Sequence, residues 1–104
     1  MNSQEQLQWL QRFSETCGVS GFEGRMKKLM LERLSSYKDV SYDKLGSVVF
    51  TKNAEEADAP KIMLASHMDE IGFMVKYITK EGFLRFTCLG GWWEQVMLSQ
   101  RVIV

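Results

Sequence analysis

The sequence predicts a mixed fold, of the α/β or α+β class. Two observations carry that expectation. Apolar residues recur at helical spacing only in the first third of the chain, and most later apolar runs are short, rich in β-branched or aromatic residues, and bounded by turns. No segment repeats and no stretch is of low complexity.

The elements follow in order. Ser3-Gln4-Glu5-Gln6 has the form of a capping box, with Ser3 serving the early amides and Gln6 reaching back. Leu7, Leu10 and Phe13 then share a helical face beside Trp9, and Gly18 is expected to stop the helix. Ser20-Gly21-Phe22-Glu23 repeats the capping pattern ahead of a second helix, whose apolar face carries Phe22, Met26, Leu29, Met30 and Leu34. Val40 to Asp43 and Ser47 to Thr51 read as strands around a Lys44-Leu45-Gly46 turn. Residues 53–60 are an acidic, solvated connection ending in the only proline. Lys61 to Ser66 is a short apolar strand candidate. Ile71 to Ile78 and Phe83 to Cys88 then flank Thr79-Lys80-Glu81-Gly82 as a hairpin. Leu89-Gly90-Gly91-Trp92-Trp93 is a glycine loop, with the tryptophans expected at a subunit contact or in the core.

Composition narrows the function classes. At 104 residues the chain has the length of one modest domain, with room for a single core. Lys plus Arg and Asp plus Glu number 13 each, so no basic surplus exists to track a nucleic-acid backbone, and no such partner is expected. Apolar runs fall far short of the roughly 20 residues a membrane helix needs, so no membrane partner is expected either. Met1 to Gln6 lacks the basic and apolar parts of a leader. Cys17 and Cys88 are too few for a disulfide framework and are expected as small, reduced core residues in a cytoplasmic protein. Seven methionines suggest adaptable core packing. Arg101-Val102-Ile103-Val104 reads as the opening of a β-strand cut short, and truncation is expected.

The chemistry concentrates in Ala65-Ser66-His67-Met68-Asp69-Glu70-Ile71-Gly72. His67 is the only histidine, and it stands at the end of an apolar run. Side chains at i and i+2 of a strand share a face, so His67 and Asp69 are expected to point the same way. The imidazole is a candidate metal ligand. Asp69 either fixes its tautomer and raises its basicity or binds a cation itself. Glu70 is expected to face elsewhere. One histidine and one or two carboxylates fall short of the three protein ligands plus water of a catalytic zinc, and no candidate general base is present. Glu55-Glu56, the only adjacent glutamate pair, sits in the acidic connection.

More than this triplet matches a known family. Gly18-Val19-Ser20-Gly21-Phe22-Glu23, Asp43-Lys44-Leu45-Gly46, Ala65 to Val75 and Leu89-Gly90-Gly91-Trp92 occur in one order. Together they closely resemble the N-terminal part of the M42 metallo-aminopeptidases, the glutamyl, deblocking or TET-type enzymes. The resemblance covers nearly the whole chain, with one departure at Ser47, where the family usually has asparagine.

The resemblance implies an α/β architecture. Residues 1–70 would be the N-terminal part of a di-metal catalytic domain, and residues 71–104 the incomplete start of a β-rich, PDZ-like dimerisation domain. It implies His67 as a ligand to one of two divalent metal ions, zinc or cobalt, and Asp69 as the catalytic carboxylate that orients it. The implied reaction is removal of N-terminal residues from peptides, in dimers that build a dodecamer. The bridging aspartate, the catalytic Glu-Glu pair, a further carboxylate and the second histidine of the family have no counterpart here, so this chain alone is expected to be inactive. The alternative is a truncated, non-catalytic member used for assembly, and a further one is a nonfunctional remnant.

Overall fold

The structure, a computed structural model, describes residues 2–104. Its elements are helices α1 (Ser3–Glu15) and α2 (Gly24–Arg33), strands β1 (Asp39–Tyr42), β2 (Val48–Thr51), β3 (Gly72–Ile78) and β4 (Leu84–Leu89), and a 3-10 turn at Glu94–Val96. Helices lead and strands follow, as the patterning predicts.

Asn2, and not Ser3, caps α1. Its side-chain oxygen accepts from the Glu5 amide at 2.8 Å, and its backbone is extended at φ −83°, ψ 165°. Both residue types cap well, so the one holding the extended backbone takes the role. The helix ends at Glu15, before Gly18 is reached. Thr16 turns extended, and its hydroxyl donates to the Arg12 carbonyl at 2.6 Å. α2 has no side-chain cap. Glu23 of the expected capping pattern instead accepts from the Gly21 amide at 2.6 Å, bracing a turn in which Gly21 adopts φ 86°.

A bidentate pair joins the helices. Arg12 donates to both carboxylate oxygens of Glu32, at 2.8 and 2.6 Å. This hydrogen-bonded contact raises the Arg12 pKa and lowers that of Glu32. The guanidinium groups of Arg12 and Arg33 lie over the Trp9 ring, 4.3 and 5.3 Å from its centroid.

The strands form two separate antiparallel ribbons, β1–β2 and β3–β4. In the first, Asp39 faces Thr51 and Tyr42 faces Val48. Asp43 organises its turn by accepting from the Leu45 and Ser47 amides, each at 2.8 Å, and from the Ser47 hydroxyl at 2.7 Å. Those bonds, the Ser47 hydroxyl first, lower the Asp43 pKa. In the second ribbon Gly72 faces Leu89 and Ile78 faces Leu84, with a bulge between Val75 and Tyr77 that leaves Lys76 as the extra residue. Thr79 closes the turn by accepting from Gly82 at 3.1 Å and, through its hydroxyl, from Phe83 at 3.1 Å.

The single core expected from the chain length does not form. Leu29 is the only buried large apolar side chain among the described residues. The radius of gyration is 18.6 Å, against roughly 13 Å for a compact chain of this length. Cys17 and Cys88, expected inside, are both exposed, as are Met63 and Met74. Two expected strands are also not formed. Residues 61–66 and 101–104 pair with no other strand among the described residues, and Leu64 is 94% exposed. A β-strand is stable only with a partner for its backbone groups, and neither segment has one among the described residues.

Candidate functional site

The site lies where residues 67–72 meet the α1–α2 connection. Val19 forms an isolated parallel bridge with Glu70. The Glu70 amide donates to the Gly18 carbonyl at 2.9 Å, and the Gly18 amide donates to Glu70 Oε1 at 2.8 Å. Glycine is needed at Gly72 and gives a close fit at Gly18, both buried crossing points. A Cβ at Gly72 would stand 2.7 Å from both Val19 methyls, and one at Gly18 would stand 3.3 Å from the Met68 carbonyl oxygen. Trp92 completes the anchor. Its indole N–H donates to the Gly72 carbonyl at 3.0 Å, and its ring stacks on Phe73 with centroids 4.4 Å apart.

Just before this anchor, His67 and Asp69 come together, although residues 67–69 lie in no strand and the shared strand face expected of them does not form. His67 Nδ1 lies 3.0 Å from the Asp69 carbonyl oxygen and 3.1 Å from Asp69 Oδ1. Both neighbours are acceptors, so Nδ1 carries the proton and donates. In the neutral ring this leaves the Nε2 lone pair for an electrophile. The His67 side chain is 83% exposed and that of Asp69 43% exposed, so the dyad stands on an open surface.

These donors fit one ligand position of a metal centre. A neutral imidazole presents Nε2 while a carboxylate holds the other nitrogen, the arrangement commonly found behind metal-bound histidines. Beyond that they do not go: among the described residues no three His, Cys, Asp or Glu side chains converge. Glu70 is turned away from the dyad and bonded to Gly18. Glu55 and Glu56 are exposed in the acidic connection.

An open groove of about 490 Å³ lies nearby, lined by Cys17, Val19, Phe22, Arg25, Phe73 and Leu89 among others, but not by His67 or Asp69. Sequence reasoning missed the Gly18–Glu70 clasp and the Trp92 anchor. Both join residues far apart in the chain, and no local pattern signals them.

Comparison with known proteins gives these positions a context. The M42 glutamyl aminopeptidase family matches residues 46–104. The glutamyl aminopeptidase of Lactococcus lactis subsp. cremoris is 39% identical over 89 residues, covering 85% of this chain and 25% of the relative. Among solved structures, the TET aminopeptidase from the marine sediment archaeon Thaumarchaeota archaeon SCGC AB-539-E09 superposes with a TM-score of 0.85 at 42% identity, covering 96% of this chain and 28% of that one. PhTET1-12s, a dodecamer in its asymmetric unit, gives a TM-score of 0.70 at 32% identity over 88% of this chain and 26% of that one. The chain thus spans about a quarter of the length of the proteins it matches.

Proposed function

This chain belongs to the M42 glutamyl aminopeptidase family, and from that premise we propose that it is part of a metal-dependent aminopeptidase that removes N-terminal residues from peptides. The observation that carries the proposal is the seating of His67 Nδ1 against two oxygens of Asp69 on a ring that is otherwise exposed. His67 binds one of two divalent ions, zinc or cobalt, and Asp69 holds the ring in the required tautomer. When bound, the ion pair supplies Lewis-acid polarisation of the scissile carbonyl and acidifies a water. By accepting from Nδ1–H, the Asp69 carboxylate also raises the basicity of Nε2.

One histidine and its orienting carboxylate do not make a complete centre. In this reading the remaining ligands and the general base come from the three quarters of the relatives' length that this chain does not span, and the chain by itself turns over no peptide. Residues 1–70 belong to the catalytic domain. Residues 71–104 begin a β-rich, PDZ-like dimerisation domain in a cytoplasmic protein that self-associates, as the dodecameric PhTET1-12s does.

Cobalt titration followed by NMR tests the site. Co2+ is expected to broaden the His67 ring resonances first, with no such effect in His67→Ala. Broadening that begins elsewhere and survives His67→Ala would refute the assignment.

A second reading is favoured by the exposed apolar side chains of the β3–β4 ribbon, among them Tyr77, Ile78 and Phe86. It is a non-catalytic assembly module. That reading predicts association of the chain with itself, unchanged by His67→Ala.

A further inference from the structure

The carboxylate that follows the dyad has no role in the reading above, although it lies one residue from Asp69. We propose that Glu70 is a positioning residue, and that its two-way clasp with Gly18 sets the orientation and tautomer of His67. The proposal rests on the dyad reading only for its consequence, not for its geometry.

The peptide unit between Asp69 and Glu70 carries the coupling. Its carbonyl oxygen accepts from His67 Nδ1 at 3.0 Å, and its N–H donates to the Gly18 carbonyl at 2.9 Å. One rigid, planar group therefore has the imidazole at one end and Gly18 at the other. Hydrogen bonds in such a chain polarise one another, so the bond to Gly18 strengthens the acceptor that His67 uses. The Glu70 side chain closes the ring by accepting from the Gly18 amide at 2.8 Å. Without that bond the peptide plane is held to the α1–α2 connection only by the Glu70 N–H and the Val19 bridge, and the restraint on its tilt is weaker.

Burial adds a second restraint. Gly18 is buried, and its Cα side faces the Met68 carbonyl and the Met26 side chain. The platform that receives Glu70 is therefore packed against α2. Oε1 of this carboxylate is committed to the Gly18 amide, although its place beside Asp69 suggests a metal ligand.

Three variants separate reach from charge. Glu70→Gln keeps an oxygen that reaches Gly18 and removes the charge. Glu70→Asp keeps the charge and is one methylene too short. Glu70→Ala removes both. The readouts are the His67 ring nitrogen shifts, which report the tautomer, and the exchange rate of the Gly18 amide.

Glu70→Gln is expected to match the unsubstituted chain on both. Glu70→Asp and Glu70→Ala are expected to speed Gly18 exchange about tenfold, the loss of one hydrogen bond, and to mix the Nδ1–H and Nε2–H forms of His67. Should Glu70→Ala fail to fold, the Gln and Asp variants still decide. The proposal is overturned if Glu70→Asp behaves as the unsubstituted chain while Glu70→Gln does not, because charge would then matter and reach would not. It is equally overturned if Gly18 exchange changes while the His67 tautomer stays fixed, because Glu70 would then be a structural tie alone. A His67 that ignores Co2+ in the unsubstituted chain removes the metal reading, and the clasp is still decided by the two NMR readouts.

Discussion

The indole N–H of Trp92 reaches back 20 residues to donate to the Gly72 carbonyl at 3.0 Å, while the same ring stacks on Phe73. Gly72 is the first residue of β3 and Leu89 its partner on β4, so the bond staples the open end of the ribbon. Trp92→Phe keeps an aromatic ring for the stack and deletes the donor. About 1 kcal/mol is expected to be lost locally, read as roughly fivefold faster amide exchange from Gly72 to Val75. Unchanged protection there would show that the stack alone holds the ribbon.

The contact between Val19 and Gly72 predicts a steric conflict and its relief. Gly72→Ala places a methyl 2.7 Å from two others, and such overpacking costs about 1–3 kcal/mol. The Val19–Glu70 bridge is expected to open. Val19→Ala removes both opposing methyls, so the double variant should recover most of the loss in a double-mutant cycle. Strict additivity would mean that the two residues do not meet.

The Asp43 turn predicts a pH dependence with a definite sign. Its pKa is lowered in the fold, chiefly by the Ser47 hydroxyl and amide. A carboxylate of this kind contributes stability above its unfolded pKa and loses it as pH falls through the folded value. The Leu45 and Ser47 amide resonances are expected to move together on acidification. Ser47→Ala should shift that midpoint upward, and a midpoint that does not move would place the lowering elsewhere.

Both thiols are expected to react with a disulfide reagent in the native chain without denaturant, because Cys17 and Cys88 are exposed. Protection of either one would indicate that another copy of the chain covers it.

What was legible in the sequence was local. The turns at Gly46 and Gly82 have φ 99° and 87°, conformations that glycine favours, and both ribbons form around them. The cap of α1 falls on Asn2, one residue before the Ser3 that the pattern indicates, because the two are chemically equivalent for that role. Residues 61–66 and 101–104 carry strand-like side chains, but pattern reports what a strand would bury and not whether a partner exists. His67 and Asp69 do pair, but through a local contact in irregular backbone and not across the shared strand face that their spacing suggests. The engagement of Glu70 was not legible, since Gly18 is 52 residues away in the chain. The burial expected for Cys17 and Cys88 failed for a related reason, because it assumed a core that residues of this chain do not close.

The bulge at Lys76 bears on solubility. A two-stranded ribbon has two open edges, each a template for pairing with another chain. The bulge divides β3 into a segment ending at Val75 and another beginning at Tyr77, so an incoming strand meets no continuous row of amides and carbonyls. Lys76 puts an ammonium group at that break, where stacking like chains would bring like charges together. The β3 edge of this ribbon thus carries its own guard against fibril growth, which the regular β4 edge does not share.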